Sequence, residues 1–414
     1  MAPKSKDIEE EERHFATVIR TFKQYAQYSL SANNRRRKDL YSLPRADQDV
    51  LNGLGYKEKL EAIDKAILVN ANFLAQIVAD PEIFGHDLDI EEEENSSESD
   101  PATASHRSSQ QSPSHSHSHP HSHSAEHTHS HGGSPTGPNR TKKYKPSEFD
   151  MDKLRSTLKQ FVRDWSEEGM QERELCYKPM KDALIEYFAT VAPEARRDLR
   201  VLVPGVGLGR LAYDVAKLGF ACQGNEFSHY MLLSSYFILN KTNEINKYTF
   251  YPYVHSFSNI LNKQSILRTI SIPDVLPSDL PRGSNFSLVA GDFEEIYGSE
   301  SHPDEPQSGQ WDAIMTCFFI DTAKNIVNYL RIIHRILAPG GVWINLGPLL
   351  WHWENNNTND PSVELDLEEV KNLARTIGFE LSNERTIDTT YTSNAQSMLG
   401  YVYHAAFWTA TKVA

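Results

Sequence analysis

The chain has 414 residues, 39% hydrophobic and 24% charged, which leaves room for one large domain or two smaller ones around a core. Its formal net charge of -14 works against binding to a phosphate backbone, whose affinity comes largely from cation displacement, so nucleic acid is not an expected partner. No run approaches the roughly 18 unbroken apolar residues of a membrane span, and "MAPKSKDIEEEERHF" lacks the apolar core of a signal peptide, so no membrane is expected and the address is cytosolic or nuclear.

Residues 1–87 read as an N-terminal helical region. Phe15, Val18, Ile19 and Phe22 share one face, and Leu60, Ile63, Ile67, Leu74 and Ile77 repeat the pattern up to Phe84. The basic run "NNRRRKDL", Asn33 to Leu40, reads as a solvated helix end in preference to a docking patch. Composition then changes abruptly to an acidic and then Ser/His-rich stretch with almost no apolar residue. Such a segment cannot bury enough surface to offset its ordering entropy, so residues 88–145 are expected to be a disordered insertion. The alternating His115, His117, His119, His121 and His123 could take up Zn²⁺ adventitiously. A low-complexity insertion is the preferred reading, and no functional metal is expected.

Order returns over 146–414. Leu154, Leu158, Phe161, Val162 and Trp165 mark the apolar face of one helix, and a second runs through Tyr187. In "VLVPGVGLGRL", Val201 to Leu211, an apolar run breaks at Pro204, passes Gly205, Gly207 and Gly209, and restarts as an amphipathic pattern. That is a strand, a tight turn and a helix whose free N–H groups suit a polar ligand. A dinucleotide fingerprint would need glycine where Arg210 stands, and no Gly-Lys-Ser/Thr ending signals a P-loop. Gly-x-Gly-x-Gly remains, the spacing common in methyltransferases that use S-adenosyl-L-methionine; alone it is also compatible with a structural turn.

Further strands follow at "FACQGNEF", "FSLVAGDF", "WDAIMTCFFID" and "GGVWINLGP", mostly with helical patterns between them, which implies a parallel, doubly wound sheet. "GFELSNERTI" and "YVYHAAFWTATK" close the chain as an antiparallel hairpin. In such sheets ligands sit beyond the carboxyl ends of the strands. There stand the three glycines, then Glu226, 21 positions past Gly205 and placed to accept both ribose hydroxyls. Asp292, for the adenine amino group, and Phe293, for its ring, follow the third strand. "ILAPGG" resembles the turn before the fifth strand of class I methyltransferases. The expected fold is therefore the class I methyltransferase seven-stranded sheet with a terminal hairpin, preceded by the helical region. Cys176, Cys222 and Cys317 lack Cys-x-x-Cys spacing and are expected to be reduced thiols in or near the core.

The fourth strand runs into "TCFFIDTAKN", which lacks the Asn/Asp-Pro-Pro-Tyr/Phe turn of amino methyltransferases. Asp321 instead faces the methyl-transfer position, with His352, Tyr391, Tyr401 and Tyr403 supplied by later segments. A polar aromatic pocket with one carboxylate suits an imidazole acceptor. The segments "FKQYAQYSLSANNRRRKDLYSLP", "TLKQFVRDWSEEG", "VLVPGVGLGRLAYDVAKLGFACQGNEFS", "TCFFIDTAKN" and "WINLGPLLWHWEN" together resemble the carnosine N-methyltransferase family, whose members make anserine from carnosine. The resemblance spans about Glu9 to Phe84 and Asp150 to Val413; the His-rich insertion departs from it.

The resemblance implies roles residue by residue. Gln160 and Arg163, three apart on one helix, would close over the cofactor, with Arg163 near its methionine carboxylate. Gly205, Gly207, Gly209, Glu226, Asp292, Phe293 and Cys317 would line the rest of the cofactor site. Asp321, His352, Tyr391, Tyr401 and Tyr403 would hold a small His-containing peptide, with Asp321 and His352 acting in catalysis. Two alternatives stay open: methylation of a histidine within a protein, and a methyltransferase-like binding protein without turnover. The apolar N-terminal helices leave room for a homodimer.

Overall fold

A computed structural model of the chain describes residues 6–80, 144–298 and 307–413. The expected insertion, apart from Tyr144 and Lys145, lies outside these residues, as does 81–84. Helices α1 (Lys6–Ser42), α2 (Arg45–Gly53) and α3 (Tyr56–Ile77) open the chain. Phe15, Val18, Ile19 and Phe22 of α1 are buried in one cluster with Ile63, Ile67 and Leu74 of α3. The basic run at the end of α1 is less solvated than its charge suggests. Arg36 lies 3.6 Å from the centroid of Phe257, Arg37 pairs with Asp64, and buried Asn33 donates to the Leu60 carbonyl at 2.9 Å. Long arginine stems cover apolar surface while their heads find partners.

Helix α4 (Glu148–Trp165) begins at a capping box in which the Ser147 hydroxyl accepts from Asp150 N–H and the Asp150 carboxylate accepts from Ser147 N–H. Leu154, Leu158, Phe161 and Trp165 join the same cluster as α1 and α3. One side of α4 therefore faces the N-terminal helices, leaving another for the sheet. Helix α5 (Met170–Tyr187) follows.

The remaining elements are β1 (Arg200–Pro204), α6 (Arg210–Lys217), β2 (Ala221–Glu226), α7 (His229–Asn240), β3 (Tyr248–Phe250), α8 (Lys263–Ile266), β4 (Ile270–Ile272), β5 (Phe286–Ala290), α9 (Phe293–Gly298), β6 (Trp311–Cys317), α10 (Ile326–Ile336), β7 (Leu337–Gly347), α11 (Leu367–Ile377), β8 (Phe379–Thr389) and β9 (Tyr403–Lys412). Seven strands form one sheet in the order β5-β2-β1-β6-β7-β9-β8. The pairings from β5 through to β7 are parallel, and β9 runs antiparallel to both β7 and β8. This is the class I methyltransferase sheet with its terminal hairpin. Val201 and Val203 of β1 pack towards α5 and α6, while Leu202 packs with α10 and α11, so this central strand is apolar on both faces. The strand order reverses between β1 and β6, and a crevice opens beyond their carboxyl ends.

Two features differ from the sequence reading. The connection from α7 to β5 carries an antiparallel pair, β3 with β4, in which Tyr248 faces Ile272. Strands of three residues are too short to show a period. The Pro339-Gly340-Gly341 run is no separate turn but an irregularity within β7, between the pairs Trp311–Leu337 and Ala313–Val342. Cys176 and Cys222 are buried free thiols and Cys317 is partly exposed. Among the described residues no helix is long and apolar enough to cross a membrane.

Candidate active site

The turn after β1 is shaped by backbone conformations that favour glycine. Gly205 and Gly207 have φ of +64° and +56°, and a Cβ on Gly205 would lie 2.6 Å from the Phe319 ring. The Glu226 carboxylate, at the end of β2, accepts Gly207 N–H at 2.9 Å on one oxygen. Its other oxygen accepts Phe227 and Ser228 N–H at 3.0 and 2.9 Å. Burial raises its pKa, and these three N–H groups oppose the rise. A carboxylate offers about four acceptor sites, so capacity remains for a ligand donor.

The cavity beside this turn is lined by Gln160, Arg163 and Asp164 of α4, by Cys317 and Phe318 at the end of β6, and by Tyr391. Gln160 donates to the Tyr391 hydroxyl at 2.5 Å. Arg163 donates through Nε to Glu172 at 2.7 Å and through Nη1 to the Tyr177 hydroxyl at 2.6 Å. Its Nη2 lies 4.0 Å from Cys317 Sγ, and its guanidinium stands 4.6 Å from the Tyr391 ring centroid. Tyr177 in turn donates to Asp164 at 2.7 Å. Burial pushes the Cys317 thiol up to about 12, so it is neutral and unsuited to attack as a thiolate.

Phe318 follows β6 with φ +53°, a conformation that costs a non-glycine residue free energy and recurs at functional sites. Its N–H donates to the Leu346 carbonyl at 2.8 Å. Its ring meets Tyr391 at 4.8 Å and Tyr403, edge-on, at 5.6 Å. Asp321 sits three residues further, in a short 3-10 turn, and is only 3% exposed. One carboxylate oxygen accepts Leu350 N–H at 3.0 Å, and its carbonyl accepts His352 N–H at 3.1 Å. Burial raises the Asp321 carboxyl to about 7 against the opposing Leu350 N–H, and burial lowers His352 to about 4. A neutral imidazole after β7 and a carboxyl poised near neutrality after β6 are thus joined through one backbone hydrogen bond.

Residues 140–414 match the family model described as carnosine N-methyltransferase. The chain belongs to the carnosine N-methyltransferase family. It is similar to the carnosine N-methyltransferase of Mus musculus, at 52% identity over 270 residues covering 64% of each chain. The Schizosaccharomyces pombe protein of the same name is 48% identical over 62% of this chain and 70% of its own. The Dictyostelium discoideum protein is 34% identical over 95% of this chain and 75% of its own. The matches to the mouse and rat proteins therefore span 64% of the length of those relatives. Among solved structures, a Burkholderia thailandensis 1,6-didemethyltoxoflavin-N1-methyltransferase overlays 68% of this chain and all of its own at 14% identity, with a TM-score of 0.35, too slight a likeness to argue from.

Of the residues this carnosine N-methyltransferase family suggests, the cavity brings together Gln160, Arg163, Gly205, Gly207, Cys317 and Tyr391, and Glu226 reaches it through Gly207. Tyr391, expected on the acceptor side, lines the same cavity as the glycine turn. Gly209 caps α6 with φ +86°. Asp292 accepts Glu294 N–H at 2.8 Å at the start of α9. Phe293 is 3% exposed and packs edge-on against Phe319 and Tyr329. Asp321, His352 and Tyr403 lie around Phe318 and the end of β7, while Tyr401 is 51% exposed. Sequence reasoning missed Asp164, Glu172, Tyr177 and Phe318. Glu172 and Arg173 are buried in α5, but that helix also carries Glu174, Lys178, Lys181, Asp182 and Glu186, so no charge pattern set the two apart in the sequence.

Proposed function

We propose that this chain transfers the methyl group of S-adenosyl-L-methionine to an imidazole nitrogen of carnosine, giving anserine. Family membership supports the coarse reading, and the buried Asp321 carboxyl beside Phe318 and Tyr403 carries the finer one. The glycine turn, the spare acceptor capacity of Glu226 and the polar wall of α4 fit an adenosyl amino acid, one end of which needs hydroxyl acceptors and the other carboxylate donors. Arg163 is assigned to the carboxylate end and Glu226 to the ribose. When bound, S-adenosyl-L-methionine supplies an electrophilic methyl on a sulfonium.

The protein's task is then to aim a nitrogen lone pair. Carnosine's imidazole, with a pKa of about 6.5, is largely neutral near pH 7, so orientation matters more than strong base catalysis. Phe318 and Tyr403 offer an aromatic wall for the ring. Asp321 is assigned to the N–H on the far ring nitrogen: it fixes the tautomer, stabilises the positive charge that grows as the C–N bond forms, and accepts the proton afterwards. His352, held neutral, is assigned a hydrogen bond to the same acceptor molecule.

Labelled S-adenosyl-L-methionine offered with carnosine, other His dipeptides and a cell extract tests the reading, with NMR of the product to identify the nitrogen. Label on carnosine as N-methylcarnosine supports it. Label on extract protein alone would move the acceptor to a protein histidine, a second reading favoured by the apolar rim of Met398, Leu399 and Tyr401, which are 69%, 47% and 51% exposed. Cofactor binding without label transfer to any acceptor would leave a binding protein. We also propose a homodimer through α2, which buries no residue and exposes Val50 at 64%, with Leu54 at its C-cap exposed at 77%; sedimentation of the full chain tests it.

A further inference from the structure

Glu172, in the first turn of α5 and 8% exposed, spends its carboxylate wholly inside the protein. One oxygen accepts Arg163 Nε at 2.7 Å and Thr392 N–H at 2.9 Å. The other accepts the Thr390 hydroxyl at 2.8 Å and Ser393 N–H at 3.3 Å. Four bonds use about the full capacity of a carboxylate.

The two sets of donors come from parts of the chain far apart in sequence that meet at the cavity. Arg163 lines the cavity with the glycine turn. Thr390 to Ser393 flank Tyr391, whose ring packs on Phe318 and whose hydroxyl takes the Gln160 bond. The connection leaves the sheet at Thr389, the last residue of β8. It is tied again at Asn394, which accepts Arg268 at 2.8 Å, and at Met398, whose N–H donates to the Asn259 carbonyl at 2.8 Å. Glu172 is thus the carboxylate that holds the chain on both sides of Tyr391, and it also holds Arg163, whose guanidinium stands 4.6 Å from the Tyr391 ring.

We infer that Glu172 is a positioning residue that couples the cofactor half of the site to the acceptor half, by holding Arg163 and the Thr390–Ser393 segment in one register. The inference rests on the methyl-transfer reading for its assignment of the two halves. A ligand that engages Arg163 steadies Glu172, and Glu172 steadies the segment that carries Tyr391.

The test uses the full chain with Glu172→Ala, Glu172→Gln and Thr390→Val. Hydrogen exchange of residues 390–400 is followed with and without saturating S-adenosylhomocysteine, beside steady-state kinetics with carnosine. In the parent protein S-adenosylhomocysteine should slow exchange in this segment; in Glu172→Ala that protection should vanish even at saturation. Acceptor KM should rise by about tenfold or more, the scale of lost hydrogen bonds to a charged group, and should change more than kcat. Glu172→Gln should recover much of both, because its one carbonyl oxygen can still serve Arg163 Nε and Thr392 N–H. Thr390→Val removes a single hydroxyl donor and should shift both readouts the same way by less. Unchanged acceptor KM and unchanged protection in Glu172→Ala overturn the inference; if that variant does not fold, the same result in Thr390→Val does so. A parent segment that ignores S-adenosylhomocysteine also overturns it. Glu172-dependent protection in a protein that never methylates carnosine would sink the reaction assigned above and leave the coupling standing.

Discussion

The carbonyl of Asp321 accepts the backbone N–H of His352 at 3.1 Å, so the carboxyl after β6 and the imidazole after β7 are set by one shared bond. The Asp321 carboxylate is held in addition by Leu350 N–H at 3.0 Å, two residues before His352, so the two loops that carry the groups assigned to the acceptor are tied to each other, as orientation-driven chemistry needs.

Asp321→Asn keeps the shape and the backbone link but cannot carry negative charge. It should lower kcat/KM by roughly two orders of magnitude, the scale of losing one preorganised electrostatic group, with S-adenosyl-L-methionine affinity nearly intact. Steady-state kinetics beside calorimetric titration check this. A matching loss of cofactor affinity would reassign Asp321 to the cofactor.

The pH dependence follows from the same carboxyl. Asp321, raised to about 7 by burial, is charged only above that pH, and the carnosine imidazole is neutral only above about 6.5. Both conditions fail as pH falls, so kcat/KM of the parent should drop through neutrality with a slope near two. His352, at about 4, stays neutral across this window. In Asp321→Asn only the substrate ionisation remains, and the slope should fall to near one. Superimposable profiles for the two proteins would remove Asp321 from the reacting centre.

Glu226→Ala should weaken cofactor binding by on the order of 1.5 to 3 kcal/mol, the worth of a charge-assisted acceptor. It also strips Gly207, Phe227 and Ser228 N–H of their partner, so some loss should appear as a lower Tm without ligand. Calorimetry with S-adenosylhomocysteine separates the two effects, and unchanged affinity would exclude Glu226 from the site.

Deleting Ser112 to Gly133 should leave kcat and KM unchanged, since the His-rich tract is low in complexity and the assigned site residues lie in 160–403. A large fall in rate with folding intact would bring the tract into the site.

Chain-local signals were the legible ones. The glycine turn and Glu226 follow from strand, turn and strand end, and the three-residue spacing of Gln160 and Arg163 puts both on one side of α4. Long-range partners were not legible. Glu172 matters because it meets Arg163 and a segment more than 200 residues later, and no spacing encodes that. The φ of Phe318 is fixed by the Leu346 carbonyl and by Gly347, where a Cβ would come within 3.2 Å of Phe318. The place of Phe293 after β5 could be read directly; its edge-on packing against the stacked rings of Phe319 and Tyr329 is a tertiary fact.

The two ends of the stretch joining α3 to α4 are each moored. Asp80 pairs with Lys241 at 3.3 Å, and the hydroxyl of Tyr144 lies 3.0 Å from that of Thr21. Because α1 and α3 already share a core with α4, the covalent path between the moorings need not transmit their association. The cost of closing a flexible loop grows only with the logarithm of its length, about 0.6 kcal/mol per doubling, so on closure entropy alone the distance in sequence between the two moorings should be free to vary at little cost to the packing of α1 and α3 on α4.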